Sequence, residues 1–226
     1  MRATWDALAG ADDLVYVGDP ARGAGELESL FGRLGANPRG GVCVEVGCGP
    51  GRMTAQLADR FDRVLALDVS PAMIERACAA VTAENVDFRT VSGEGLDGVE
   101  ADGADALVCY LVLQHLPRRA LVERYLNEFA RVLKPTGEAF VQLPVLDRGP
   151  APALWRILRT LTVPVVYVVA PRPDRAPALR GVRLSERELD QALARAGLVV
   201  RARDEGPDAP YRHSRDVFLR LARAPA

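Results

Sequence analysis

A chain of 226 residues carrying 29 basic and 30 acidic side chains, net charge −1, is long enough for one domain with a substantial core. It lacks the basic excess that neutralising nucleic-acid phosphates requires, so no nucleic-acid partner is expected. Cys43, Cys48, Cys78 and Cys109 form no CxxC pair and are joined by only two histidines, which argues against a metal site or a disulfide framework and for buried thiols in a reducing, cytoplasmic setting.

The N-terminus shows no apolar h-region, so no signal peptide is expected. Trp5, Leu8 and Ala9 give a short apolar face, and Leu27, Leu30, Phe31 and Leu34 make a second amphipathic helix stopped by Gly35 and Pro38. From Val42 the pattern alternates strand and helix, the signature of a parallel α/β sheet. The predicted strands are Val42–Val46, Val64–Asp68, Val86–Thr90, Ala106–Tyr110 and Glu138–Leu143. The helices between them are Met53–Asp59, Pro71–Ala83, with Ser70 as N-cap, and Arg119–Leu133. Lys134 to Gly137 reads as a turn into the fifth strand.

Pro144 to Leu184 breaks this rhythm with seven prolines, a short helix candidate around Ala153–Leu161 and a run to Ala170 interrupted by Pro164. That run is too short to span a bilayer, so no stable membrane insertion is expected. Order resumes at Ser185, which forms a capping box with Glu188, followed by a helix ending at Gly197 and strands Leu198–Arg203 and Asp216–Leu221. One domain is expected over 1–226, with a helical cap at 1–40, a ligand-binding core at 41–147, an insertion or lid at 148–184, and a last helix and two strands at 185–226.

The stretch Val42 to Thr54 organises the chain. A β-branched strand ends in Gly47, Gly49 and Gly51, which can take φ > 0 and admit a ligand close to the backbone. Strand, glycine loop and helix together predict a place where backbone N–H groups meet a small polar ligand. The loop is not a nicotinamide fingerprint, because Arg52 stands at its third glycine, nor a P-loop, because no lysine follows. Glu45 would repel a pyrophosphate and favour a ligand bearing an amino group. Asp68, at the end of the second strand, suits a bidentate hydrogen bond to ribose hydroxyls.

VEVGCGPGRMT, LALDVS, VLQHLP and LKPTGEAFV resemble the successive motifs of the class I S-adenosylmethionine-dependent methyltransferases, close to the small-molecule, type 11-like group. The resemblance covers roughly Pro38 to Leu146 and, more weakly, Leu184 to the C-terminus. It implies a Rossmann-like doubly wound seven-stranded sheet, mostly parallel with an antiparallel last strand, and S-adenosyl-L-methionine as cofactor. It places Gly47, Gly49 and Gly51 around the methionine part, Glu45 towards the amino group, and Met73 against the adenine or in the core. Ser92 holds the position where the family often has an acid, and Glu94 lies two residues on. Either side chain, or the backbone of Gly93 and Glu94, would serve the adenine.

Tyr110 ends the fourth strand at the crevice. His115 is a candidate base for an acceptor, or else a polar residue hydrogen-bonded at a helix start. His213, with Tyr211, would reach the crevice if the sixth strand runs parallel to the others. Trp155 and Tyr167, with Ile157, Leu158 and Leu161, would make an apolar lid that selects the acceptor, or a packing flap or homodimer contact. The expected acceptor is a small, apolar or aromatic, polyketide-like metabolite, methylated at oxygen, nitrogen or carbon. The alternative is a relative that keeps the pocket without methyl transfer.

Overall fold

A computed structural model describes residues 2–9, 20–169, 181–208 and 213–225. Seven strands form one sheet in the order β3-β2-β1-β4-β5-β7-β6. They are β1 (Val42–Val46), β2 (Arg63–Asp68), β3 (Val86–Thr90), β4 (Ala104–Cys109), β5 (Leu133–Leu146), β6 (Leu198–Asp208) and β7 (Ser214–Arg223). β1 to β5 pair in parallel, and β7 is antiparallel to both neighbours. β6 therefore runs with β5, and the end of β6 and the start of β7 lie at the carboxyl ends of the parallel strands. This is the Rossmann-like sheet expected from the sequence.

The helices are α1 (Arg2–Ala9), α2 (Pro20–Arg33), α3 (Thr54–Ala58), α4 (Pro71–Ala80), α5 (Arg119–Val132), α6 (Pro150–Val169) and α7 (Glu186–Arg195). Period-two alternation sends successive strand residues to opposite faces. Val44, Val46, Leu107 and Val141 join Leu126, Phe129 and Leu193 of α5 and α7 in one core layer. Cys43, Val64, Ala106, Val108 and Phe140 join Leu27, Leu30 and Phe31 of α2 in the other. Phe31 meets Phe140 edge to face at 4.9 Å. Each such fully buried side chain is worth about 1.5–3 kcal/mol, so α2 is an integral layer of the core. Ser70 caps α4 by accepting from the Met73 N–H, and Ser185 and Glu188 form the reciprocal capping box of α7.

Three departures from the expected elements have physical causes. Lys134 to Gly137 do not end the strand: Leu133 pairs with Ala104 and Glu138 with Ala106, so the four residues bulge opposite Asp105. Gly137 is required there, since a Cβ would lie 2.6 Å from the Ala104 carbonyl oxygen. The insertion is one 20-residue helix that carries Pro164 in its interior, although proline removes one intrahelical hydrogen bond. Cys78, expected to be buried, is exposed on α4, while Cys43, Cys48 and Cys109 are buried. Among the described residues, no helix is long and apolar enough to cross a membrane.

Candidate functional site

The chain turns from β1 to β2 on one side and, after β3, resumes at β4 on the other side of β1. The carboxyl ends of β1 and β4 flank that reversal, the place where open α/β sheets bind ligands. The glycine loop fills it. Gly47, Gly49 and Gly51 have φ of +74°, +54° and +87°, the left-handed region that favours glycine. The demand at Gly47 and Gly51 comes from the protein itself. A Cβ would fall 2.3 Å from Val112 Cγ2 at Gly47 and 2.8 Å from Val81 Cγ2 at Gly51.

Four of the loop's amides are engaged within the protein itself. The Gly47 and Cys48 amides donate to the Leu67 carbonyl at 2.7 and 2.9 Å, and Gly51 donates to the Cys48 carbonyl at 3.1 Å. The Gly49 amide donates to Asp68 Oδ2 at 2.9 Å, and Pro50 has no N–H. What the loop offers is shape and two carboxylates. Glu45 is 4% exposed, and its Oε2 accepts from the Thr54 hydroxyl at 2.7 Å. Burial pushes its carboxyl up to about 7; the Thr54 hydroxyl pulls it down, the charge of Asp68 raises it and that of Arg52 lowers it. Asp68 is 9% exposed and accepts from the Ser70 amide at 2.9 Å. Burial raises its carboxyl too, against the amides of Ser70 and Gly49. Neither acid is within ion-pair distance of a basic group of the described residues.

Two buried acids with no ion pair are costly unless a ligand completes them. A molecule with an ammonium group at one end and a ribose diol farther along fits that donor set; a pyrophosphate does not.

Met73 is fully buried at the first turn of α4. Ser92 Oγ accepts from the Glu94 amide at 3.1 Å, and the Ser92 amide donates to Asp97 Oδ2 at 2.9 Å. Glu94 is exposed and reaches Arg118 and Arg124 at 3.6 and 3.5 Å. Both side chains offered as adenine ligands are thus engaged locally, while Gly93 between them has φ +85°. α1 crosses these loops: Arg2 Nε donates to the Val69 carbonyl at 3.0 Å and Nη2 to that of Val91 at 3.2 Å. The Ser70 hydroxyl donates to Asp6 Oδ1 at 2.5 Å.

The other residues singled out in the sequence come from distant segments. Tyr110 is half-buried; burial pushes its hydroxyl up to about 12, with Glu26 and Asp216 adding to the rise and Arg52 and Arg33 opposing it. His115 stacks edge to face on Trp5 of α1 at 5.0 Å, with Nε2 3.1 Å from Gln114 Nε2. His213 meets Trp155 of α6 in the same manner at 5.9 Å. The structure thus joins Trp155 to His213 and joins His115 to the N-terminal helix. Tyr211 lies outside the described residues, and of Tyr167 only its place in α6 is described. Ile157, Leu158 and Leu161 are 57%, 52% and 66% exposed, alongside Leu154. Sequence reasoning passed over Thr54, Gln142 and Asp216, and read Trp5 only as part of an apolar helix face. Gln142 left a trace, as a polar residue inside an apolar strand.

Residues 44–141 match the family described as "Methyltransferase domain". A curated relative, the ubiquinone biosynthesis O-methyltransferase of Xanthomonas axonopodis pv. citri (strain 306), is 32% identical over 149 residues, which is 65% of this chain and 57% of the relative. The chain thus spans little more than half the length of the curated relatives it matches. Among solved structures, N-methyltransferase NodS of Bradyrhizobium japonicum WM9, in complex with S-adenosyl-L-homocysteine, superposes with a TM-score of 0.66 at 16% identity, covering 100% of this chain and 98% of that one. The [4+2]-cyclase SpnF gives 0.65 at 16% identity, covering 99% and 93%. At these identities the likeness is one of fold, on which more than one chemistry is built.

Proposed function

We propose that this chain, a member of the class I S-adenosylmethionine-dependent methyltransferase family, transfers a methyl group to a hydroxyl oxygen of a small, apolar or aromatic acceptor. The observation that carries the reading is the pair of carboxylates at the glycine loop, Glu45 and Asp68, buried without ion pairs among the described residues, beside loop amides of Gly47, Cys48, Gly49 and Gly51 that are engaged internally. When bound, S-adenosylmethionine supplies an electrophilic methyl carbon on a positively charged sulfur.

Glu45 would take the cofactor's ammonium group, with Thr54 fixing one carboxylate oxygen. Asp68 would take the ribose hydroxyls while its bonds to Gly49 and Ser70 hold the loop against the end of β2. Met73 and the backbone of Gly93 and Glu94 would bound the adenine. Tyr110 stands where β4 meets the crevice, between cofactor and acceptor. Since the methyl group is already activated, positioning supplies most of the acceleration, and His115 or His213 would assist only an acceptor that must lose a proton. Oxygen as the methylated atom follows the curated relative, an O-methyltransferase of ubiquinone biosynthesis. A second reading, the same pocket without methyl transfer, is favoured by the fold shared with a cyclase.

Calorimetric titration with S-adenosylmethionine and with NADH tests the cofactor, and binding of NADH alone would sink the proposal. Source extracts incubated with protein and cofactor should gain masses one methylene higher. Cofactor binding with no such product would leave the second reading standing instead.

A further inference from the structure

Most carboxylates outside the glycine loop that the fold partly covers are matched to a base: Asp87 to Arg63 and Arg89, Asp105 to Lys134, Glu128 to Arg131, Glu138 to Arg220, Glu188 to Arg119 and Arg156. Asp216 on β7 is different. Among the described residues it makes no ion pair, and its hydrogen-bond partner is Gln142 Nε2, which donates to Oδ1 at 2.6 Å. Gln142 is 1% exposed, and its Oε1 accepts from the Leu111 amide at 3.0 Å. That amide can only donate, so the Gln142 amide has one orientation and turns Nε2 to the carboxylate. Leu111 holds φ +60°, costly for a branched residue and typical of functional sites.

Asp216 also lies in the right place. Gln142 pairs with Phe218 and Pro144 with Asp216, so Gln142 and Asp216 share the sheet face that carries Phe140 and Phe218. Tyr110 follows Val108 onto the same face, and Glu45 follows Cys43. At the carboxyl ends this face changes from apolar to polar. Strands spaced about 4.8 Å apart put β7 roughly 10 Å from β4 and 14 Å from β1, leaving room for about one aromatic ring between Asp216 and the cofactor end. Ser214, two residues earlier on the same face of β7, is 3% exposed and its hydroxyl has no hydrogen-bond partner among the described residues. A buried hydroxyl without a partner points to a missing ligand.

We propose that Asp216, oriented by Gln142, is a specificity-determining residue that accepts a hydrogen bond from a hydroxyl of an aromatic acceptor. The proposal rests on the methyltransferase reading and deepens it. A neutral donor is favoured over an ammonium group because fully buried Arg183 already places positive charge in electrostatic reach of Asp216. The Leu111 N–H, the Gln142 amide and Asp216 Oδ1 form one chain of hydrogen bonds, which leaves Asp216 Oδ2 to the ligand.

The test uses calorimetry on the full chain saturated with S-adenosylhomocysteine, with 2-naphthol, 2-methoxynaphthalene and 2-naphthylmethylammonium as probes. Wild type should bind the naphthol about tenfold to a hundredfold more tightly than its methyl ether, the worth of one hydrogen bond to a carboxylate. Asp216→Asn, and Asp216→Ser should the first fail to fold, should reduce that preference to within about threefold and leave S-adenosylhomocysteine affinity unchanged. The proposal is overturned if wild type shows no preference for the hydroxyl, if the preference survives in a folded variant, or if the ammonium probe binds best. A protein that binds no S-adenosylhomocysteine fails the methyltransferase reading itself, a separate outcome read before any probe is added.

Discussion

The glycine-loop end of the crevice draws its carboxylates and its loop from one continuous stretch, Val42 to Ser70, whereas the proposed acceptor wall draws on Tyr110, Gln142, Trp155, His213 and Asp216. On the first side, loop amides fix the geometry: Gly47 and Cys48 donate to the Leu67 carbonyl and Gly49 to the Asp68 carboxylate of the neighbouring strand. On the second, single side-chain contacts between separate elements do so. The difference separates a frame tied together within one stretch of chain from a wall assembled out of separate elements. Changing the loop changes the frame, while changing the far wall changes what fits against it.

The largest effect that would break this contrast is expected at Gly47. An alanine there must hold φ near +74°, at about 1–2 kcal/mol, and its Cβ meets the stiff Val112 side chain at 2.3 Å. Overpacking adds about 1–3 kcal/mol. Urea unfolding of Gly47→Ala should therefore show a loss of about 2–5 kcal/mol, of which Val112→Ala in the same chain restores the packing part only. A loss under about 0.5 kcal/mol would mean that the loop shifts freely and is no rigid frame.

Glu45 sharpens the same side through pH. Its folded carboxyl, at about 7, lies above its ordinary value of 4.5 because burial disfavours the charge. The folded ligand-free protein thus holds a proton that the unfolded chain has lost. The stabilising contribution is complete below pH 4.5 and disappears as pH rises through 7, a fall of about 3 kcal/mol. Asp68 and Asp216 are shifted in the same direction, so the measurement is the difference between wild type and Glu45→Gln across that window. Binding of S-adenosylhomocysteine should run the opposite way, tightening by up to about tenfold per pH unit between 5 and 7 as Glu45 ionises to meet the ammonium group. A pH-independent affinity would remove Glu45 from that role.

How much of this was legible follows the same division. Val42, Val44 and Val46 announce a buried strand, the glycines announce a left-handed turn, and Ser70-Pro71 announces a helix start; each signal is local. What the glycines do was not legible, because the destination of their N–H groups depends on Leu67 and Asp68 lying alongside. Pro144 to Leu184 misled for a related reason. Pro164 argues against a continuous helix, yet α6 runs from Pro150 to Val169 with its inner side tied by Trp155 to His213 and by Arg156 to Glu188. Gln142 and Asp216 become a pair only through the antiparallel register of β5 and β7, which no periodicity encodes.

Asp68 offers the next test. Asp68→Ala should weaken S-adenosylhomocysteine binding by about 1.5–3 kcal/mol, the worth of hydrogen bonds to a charged group. Part of the loss is indirect, because the Gly49 and Ser70 amides lose their shared acceptor. Asp68→Asn, which keeps one oxygen for those amides, should lose less. Equal losses in calorimetry would mean that the loop's anchoring contributes nothing to affinity.

The smallest effect belongs to the outer face of α6. Leu154, Ile157, Leu158 and Leu161 recur at helical spacing and stand more than half exposed, so replacing them removes little packing within the chain. Ile157→Ser with Leu161→Ser should change unfolding free energy by less than about 0.5 kcal/mol per site, as for surface positions in general. Cofactor affinity should not move, since none of the loop's contacts reach α6. Trp155→Ala is the contrasting variant, because Trp155 lies against His213 at 5.9 Å. An edge-to-face pair is worth about 0.5–1.5 kcal/mol beyond its buried area, and losing it should release His213 and weaken acceptor turnover tenfold or more. If instead the serine double variant lowers turnover and Trp155→Ala does not, the acceptor meets the outer face of α6, and the far wall of the crevice has been assigned to the wrong side of the helix.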